Sequence, residues 1–435
     1  MHPLDLLYNA CKFGLVSKVL DLLSAESEKG DLSELSSFID EEDEEDERTC
    51  LAAALAFGHL EVAGILVRKG GADVNKPNNE GVTPLITSCS RNYLSISQYL
   101  IQMGAELDKA AKNGDTPLTV SCRAGRQAMA KLLLAKGANV DRAIKSGDTP
   151  LILSSRNGHP EVVKLLLANG AKVGQADRIN SAPLIVASMA GHQGVMELLL
   201  AGGSNVDQAN GYGLTPLIAS SQSGRRKAVE LLLAHGANVG RAMNDGATPL
   251  TMSSQNGHTE VVELLLANGA NVNQATNNGG TPLIRSSRQG HEEVVELLLA
   301  SGAMLDRSDN NGDTPLIMSS MNGHPEVVKI LLAKGANVHQ ADNNGFTPLI
   351  RSNRAGHQEV AKLLLARITT IRRFTVLSAI HQVRFRPPTP PPSQLLSLLA
   401  NDTPDDMVRV ILEFLGAQSA KTSRRREEAG KRKQA

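Results

Sequence analysis

Eleven histidines, four cysteines, 45 basic and 45 acidic side chains are what this 435-residue chain can bring to chemistry. Seven of the histidines, His59, His159, His192, His258, His291, His324 and His357, each follow a glycine in what reads as the same recurring turn. No Cys/His set has the spacing of a zinc site, no glycine-rich loop would cradle a phosphate, and no nucleophile elbow is present. No catalytic residue, cofactor or metal is therefore assigned, and the chain is read as a non-enzyme. Cys89 and Cys122 lie 33 residues apart at a position that is usually Ser, and Cys11 and Cys50 also fall inside predicted helices. All four read as small core residues rather than disulfide partners.

The arginines and methionines form a more suggestive series. Pro84, Pro117, Pro150, Pro183, Pro216, Pro249, Pro282, Pro315 and Pro348 follow one another at a step of 33. From Pro117 onward, the third and sixth residues after each proline stand one helical turn apart. They read Val120/Arg123, Leu153/Arg156, Val186/Met189, Ala219/Gln222, Met252/Gln255, Arg285/Arg288, Met318/Met321 and Arg351/Arg354. Arginine forks hold carboxylates and phosphates, and methionine makes an adaptable apolar seat, so the series would suit an extended acidic or phosphorylated segment. The plainer alternative is a helix face made soluble by arginine.

The elements that must position these residues can be read from one unit, Asp148 to Asn180. Thr149 caps a helix that Pro150 opens, because proline costs nothing at the first helical position. Gly158 supplies a left-handed stop. A second helix begins near Pro160, places Val162, Val163, Leu165, Leu166 and Leu167 on an apolar face, and ends at Gly170. Helices this short do not persist alone, so each must bury its face against the next unit. A fixed period of this kind predicts a stack of repeats.

Thr-Pro-Leu, Gly-His, the Leu-Leu-Leu run and Gly-Ala-Asn-Val at this spacing resemble the ankyrin-repeat family over residues 1 to about 366. The resemblance implies an all-α solenoid with β-turn tips, in which partners contact the tips and the exposed face of each first helix. Eleven inter-helix stops, Gly14, Gly58, Asn92, Gly125, Gly158, Gly191, Gly224, Gly257, Gly290, Gly323 and Gly356, predict eleven repeats. One departure is clear: the residue after Thr-Pro-Leu, commonly His in the family, is Ile or Thr here, so packing is expected to replace its hydrogen bonds. The candidate partner-binding residues are then Arg123, Arg156, Met189, Gln222, Gln255, Arg285, Arg288, Met318, Met321, Arg351 and Arg354, with the tip aromatics Tyr212 and Phe346. The sixth position after the proline is the safer contact, since the third faces partly inward.

Composition shifts divide the chain. Residues 1–48 read as a divergent capping repeat whose first connection carries eight consecutive carboxylates, Asp40 to Glu47, as a mobile acidic loop. Residues 49–366 are the regular array, 367–392 a basic and proline-rich linker, 393–416 a helical hairpin or degenerate capping repeat, and 417–435 a basic, disordered tail. Residues 384–390 fit an SH3-type ligand. Residues 393–416 would let the protein act as an adaptor that recruits a ubiquitin-ligase or signalling complex. Basic residues equal acidic ones and aromatics make up only 3%, which argues against nucleic acid as the partner. No apolar run spans a membrane and no signal-peptide core follows Met1, so a cytoplasmic monomer is expected, with nuclear entry through the C-terminal basic clusters. Other proteins, rather than small molecules, are the expected partners.

Overall fold

A computed structural model describes residues 3–28, 32–41 and 48–385. Chain contacts divide the protein into two units, Met1–Arg367 and Ile368–Ala435. In the first unit the described helices form eleven antiparallel pairs, one for each predicted stop. Repeats are numbered one to eleven by those stops, so repeat five pairs helix Pro150–Arg156 with helix Pro160–Ala168. From repeat three to repeat eleven every first helix opens on its proline, and in each but repeat six the preceding threonine hydroxyl accepts the third residue's amide, as Thr149 does from Ile152 at 3.2 Å. Ala182 leaves repeat six without that cap.

Burial follows the expected faces with one refinement. Val162, Val163 and Leu166 are inaccessible, whereas Leu165 and Leu167 are half-buried on the flank of the same helix. Ile152, Ile218 and Ile317, in the position after Thr-Pro-Leu, are fully buried. Packing does replace the missing histidine there. Ile350 occupies the same position in repeat eleven and is 39% exposed, since no further repeat follows it among the described residues.

Two contacts lock successive repeats. At the stops, all eleven residues have positive φ, from 63° at Asn92 to 85° at Gly58. The histidine after a stop then reaches back: from repeat five onward its Nε2 bonds the backbone oxygen 36 residues earlier, as His258 does to Gln222 at 3.0 Å, and His59 bonds Lys12 across the longer first connection. The histidine ring lies against the preceding repeat's glycine, so closely that a Cβ on Gly224 would stand 2.6 Å from His258 Nδ1. Tyr93 and Arg225 fill that place where histidine is absent. At the tips, one amide per repeat bonds the previous tip's carbonyl, from Lys112 to Glu80 through Asn343 to Asn311. In repeats eight to eleven asparagine side chains double this ladder, Asn277 Nδ2 donating to the Asn244 carbonyl at 2.9 Å.

The ends depart from expectation. The first connection contains a helix, Leu32–Ile39, just before the acidic run, that the sequence reading did not assign. Ile39 is fully buried, Ser36 Oγ donates to the Gly71 carbonyl, and the Asp40 carboxylate receives the Asp73 amide. A Cβ on Gly70 would stand 2.6 Å from Ile39 Cδ1, so the extra helix explains the glycine pair that breaks the period at this point. Acidic residues 42–47 lie outside the described residues. At the other end the last helix runs Gln358–Phe385, through residues read from sequence as linker. The proline run, residues 393–416 and the basic tail lie outside the described residues.

Gly236, like Gly224, has positive φ, but a Cβ there meets nothing within 4 Å. Gly236→Ala is therefore expected to cost only the left-handed strain of about 1–2 kcal/mol. Gly224→Ala should cost more, because His258 must also leave Gln222. Equal losses in urea titrations of the two variants would dismiss the interlock.

Candidate interaction surface of tips and first helices

The sixth residue after each proline is the hinge between fold and surface. Its backbone oxygen receives the next repeat's histidine: Arg123 from His159, Arg156 from His192, Gln222 from His258, Gln255 from His291, Arg288 from His324 and Met321 from His357. Met189 receives Arg225 Nε instead. The main chain is thus held from above while the side chain stays variable. Arg156, Met189, Gln222, Arg288 and Arg354 are exposed, and Arg123, Gln255 and Met321 are half-buried. Third-position residues lie deeper, with Arg285 and Arg351 half-buried and Met318 only 6% exposed. Met318 is a core residue and leaves the list of contacts.

Sequence reading missed a second column that faces this one. In repeats four, five and eleven the residue before the Thr-Pro meets the sixth residue after the proline. In repeat four Asp115 takes both ends of the Arg123 guanidinium, with Nη1 3.0 Å from Oδ2. In repeat five Arg156 Nη2 lies 2.7 Å from Asp148 Oδ1, and Ser146 donates to the other oxygen. Repeat seven places Leu214 there, packed with Ile185, Ile218 and Ala219. Repeat eleven places Phe346 there, its ring 4.0 Å from the Arg354 guanidinium and 4.9 Å from that of Arg351. Phe346 is therefore engaged by its own repeat rather than open as an anchor. Arg351 also pairs with Asp342, a buried tip carboxylate. A spacing of eight residues between Asp and Arg was the signal available in the sequence. Tyr212, the other tip aromatic, is 60% exposed between Gly211 and Gly213.

These pairs tune the carboxylates in opposite directions. Burial pushes Asp148 up, but hydrogen bonds from Arg156 and Ser146 and the Arg156 charge outweigh it and hold the group below the usual range. Asp342 is likewise lowered, against its burial, by the Phe346 amide and Arg351. Asp313, at the same column position in repeat ten, faces Met321 rather than arginine. Burial raises it, Asp309 adds to the rise, and its Oδ1 has no hydrogen-bond partner. All four cysteines are buried, and burial lifts the Cys89 thiol to about 12 against hydrogen bonds from Ser121, Ser97 and Ser88. Among the described residues no His, Cys, Asp or Glu group is arranged to hold a metal ion, and no helix is long and apolar enough to cross a membrane.

A raised folded pKa means that ionised Asp313 destabilises the fold at neutral pH, and that this cost fades as pH falls through the raised value toward the unfolded pKa of about 3.9. Asp313→Asn should therefore be more stable than the parent at pH 7, with the gap closing on acidification. Asp148→Asn should behave oppositely, losing stability that the parent holds above about pH 3.9. Met321→Arg would recreate the pair of repeats four and five and should add up to about 1 kcal/mol. Urea titrations across pH read all three; an Asp313→Asn gap that is unchanged on acidification would show that the ionised carboxylate is not the cause.

Comparison with known proteins agrees with the geometry. The family description of ankyrin repeats, in a three-copy form, matches residues 7–111, 103–177, 173–243, 239–309 and 301–373. A mouse protein (Mus musculus), protein phosphatase 1 regulatory subunit 27, is 36% identical over 82 residues, or 18% of this chain and 53% of the mouse protein. The chain thus spans about half the length of that relative. With matched segments running almost without a break through eleven helix pairs, this chain belongs to the ankyrin-repeat family.

Proposed function

We propose that the protein is a non-catalytic interaction scaffold that binds segments of partner proteins along the surface formed by its tips and first helices. One observation carries this reading. In repeats four to ten the backbone at the sixth position after the proline is pinned by the next repeat, while the side chain varies from Arg to Met to Gln. Side chains displayed at a fixed step on a held backbone lose little freedom on binding, so more of the contact energy appears as affinity. Membership of a family whose repeats act as protein-binding surfaces supports the same reading, as does a relative whose name makes it a regulatory subunit. An acidic or phosphorylated segment remains the partner chemistry best suited to the arginines, now confined to those that the protein does not neutralise itself. The adaptor reading, with a second complex recruited through 393–416, rests on residues outside those described.

The test is a full-length chain carrying Met189→Glu, Tyr212→Ala, Gln222→Lys, Arg288→Glu and Arg354→Glu, compared with one carrying Lys164→Glu and Glu230→Lys on the second helices. Both should melt like the parent. In proximity labelling the first should lose most partners and the second should keep them. A partner set lost with the second variant and kept with the first would move the binding surface to the opposite face. A chain ending at residue 392 tests the adaptor reading: it should keep the partners of the repeats and lose any complex recruited by 393–416.

A further inference from the structure

Among the described residues Arg123, Arg156 and Arg351 are closed by carboxylates of their own repeats and Arg354 is stacked on Phe346, whereas neither arginine of repeat nine has such a partner. Its sixth-position residue, Arg288, is exposed and stands where Arg123 and Arg156 stand. The residue that should face it, Asp115 or Asp148 in the earlier repeats, is Gly280. Its third-position residue, Arg285, matches Arg351, but where Arg351 meets the tip carboxylate of Asp342, Arg285 meets Thr276. Both carboxylates are missing from one repeat. Arg285 has one anchor, Nη2 to Asn278 Oδ1 at 3.1 Å, and its Nε is buried with no hydrogen-bond partner. That Nε lies 2.8 Å from the point where a Cβ on Gly280 would stand, so the guanidinium leans into the space a side chain would fill.

Repeat ten supplies two carboxylates on the adjoining side, Asp309 and Asp313. Asp309 Oδ1 is taken by the backbone amides of Asn311 and Asp313. Asp313 feels the Arg288 charge, yet it forms no ion pair within 4 Å and its Oδ1 stays open. Neither one supplies what the two arginines lack. Met321 lies beside them, half-buried, as an apolar neighbour.

We infer that repeat nine is the seat for a carboxylate side chain, Asp or Glu, of a bound partner segment, held by Arg285 and Arg288 where an aspartate of the protein itself would otherwise be. Repeats four and five are the template for the occupant: the group their arginines hold is a carboxylate. Asp313 Oδ1 accepts an N–H from the same segment. This inference rests on the scaffold reading and names the partner chemistry at one step of it.

Gly280→Asp tests the seat directly. Gly280 does not have positive φ, and an added Cβ would meet side chains only, Arg285 Nε at 2.8 Å and Thr276 Oγ1 at 3.1 Å, which must shift to admit it, so the variant should fold, with a melting curve that checks it. Random twelve-residue peptides displayed on phage would be selected on the full chain and on this variant. The parent should select sequences with Asp or Glu at one fixed position, and the variant should lose that preference while still selecting the rest of the motif. Changing the acidic residue of a selected synthetic peptide to Asn should weaken binding to the parent about tenfold or more, and change binding to Gly280→Asp little. Selected peptides without a fixed acidic position would overturn the seat alone. Selection of nothing by the parent would overturn the scaffold reading with it. A phosphoserine at the fixed position that binds more tightly than Asp or Glu would overturn the assignment to carboxylates.

Discussion

A turn that only a left-handed residue can make, with the next repeat's imidazole laid against it, is the contact on which the rest of this structure depends. The helices it joins run seven to ten residues in repeats two to ten, too short to hold themselves in water. Their stability comes from neighbours, and the glycine is what lets the neighbour approach. A Cβ at Gly158 would stand 2.5 Å from His192 Nδ1, so any other residue at the stop pushes the ring off the Arg156 carbonyl that it holds. One small residue thus sets backbone conformation, repeat spacing and the seating of a hydrogen bond together.

Most of this frame was legible in the residues because each requirement leaves a distinct mark. A proline can open a helix, a threonine can cap it, and a glycine can end it, so Thr149, Pro150 and Gly158 outline an element without reference to tertiary structure. The replacement of histidine by Ile152 could also be read as packing, and Ile152 is buried. What escaped were features that depend on two distant residues meeting. The Asp148–Arg156 pair looks, in sequence, like a turn residue and a solvated arginine. Met318 looks like its neighbour Met321 three residues on, yet one lies in the core and the other is half-buried on the flank. The helix Leu32–Ile39 was hidden by the acidic run beside it, although Ile39 and Gly70 each carry half of its docking site. Residues 387–435 were read as proline-rich, helical and basic stretches, and those readings stay with the sequence.

Charge on the surface is better described by its closure than by its sign. Arg123, Arg156 and Arg351 are arginines to the eye but ion pairs in the structure, and little of their charge is left for a partner. The same surface carries Leu214 and Phe346 in the column that elsewhere holds aspartate, so one pair of positions serves as salt bridge, core contact or aromatic stack by turns. Recognition in such an array depends on which repeat leaves its pair unfinished.

Closure within the repeat also bears on how such a chain can be inherited. A repeat that neutralises its own arginine, as repeats four and five do, can be copied or deleted whole without stranding a charge in the stack. Repeats nine and ten break that independence: one carries two arginines without carboxylates and the next an aspartate without an arginine. Copying either one, alone or with the other, would multiply a charge that the stack itself does not pair, so these are the repeats whose duplication changes the surface most.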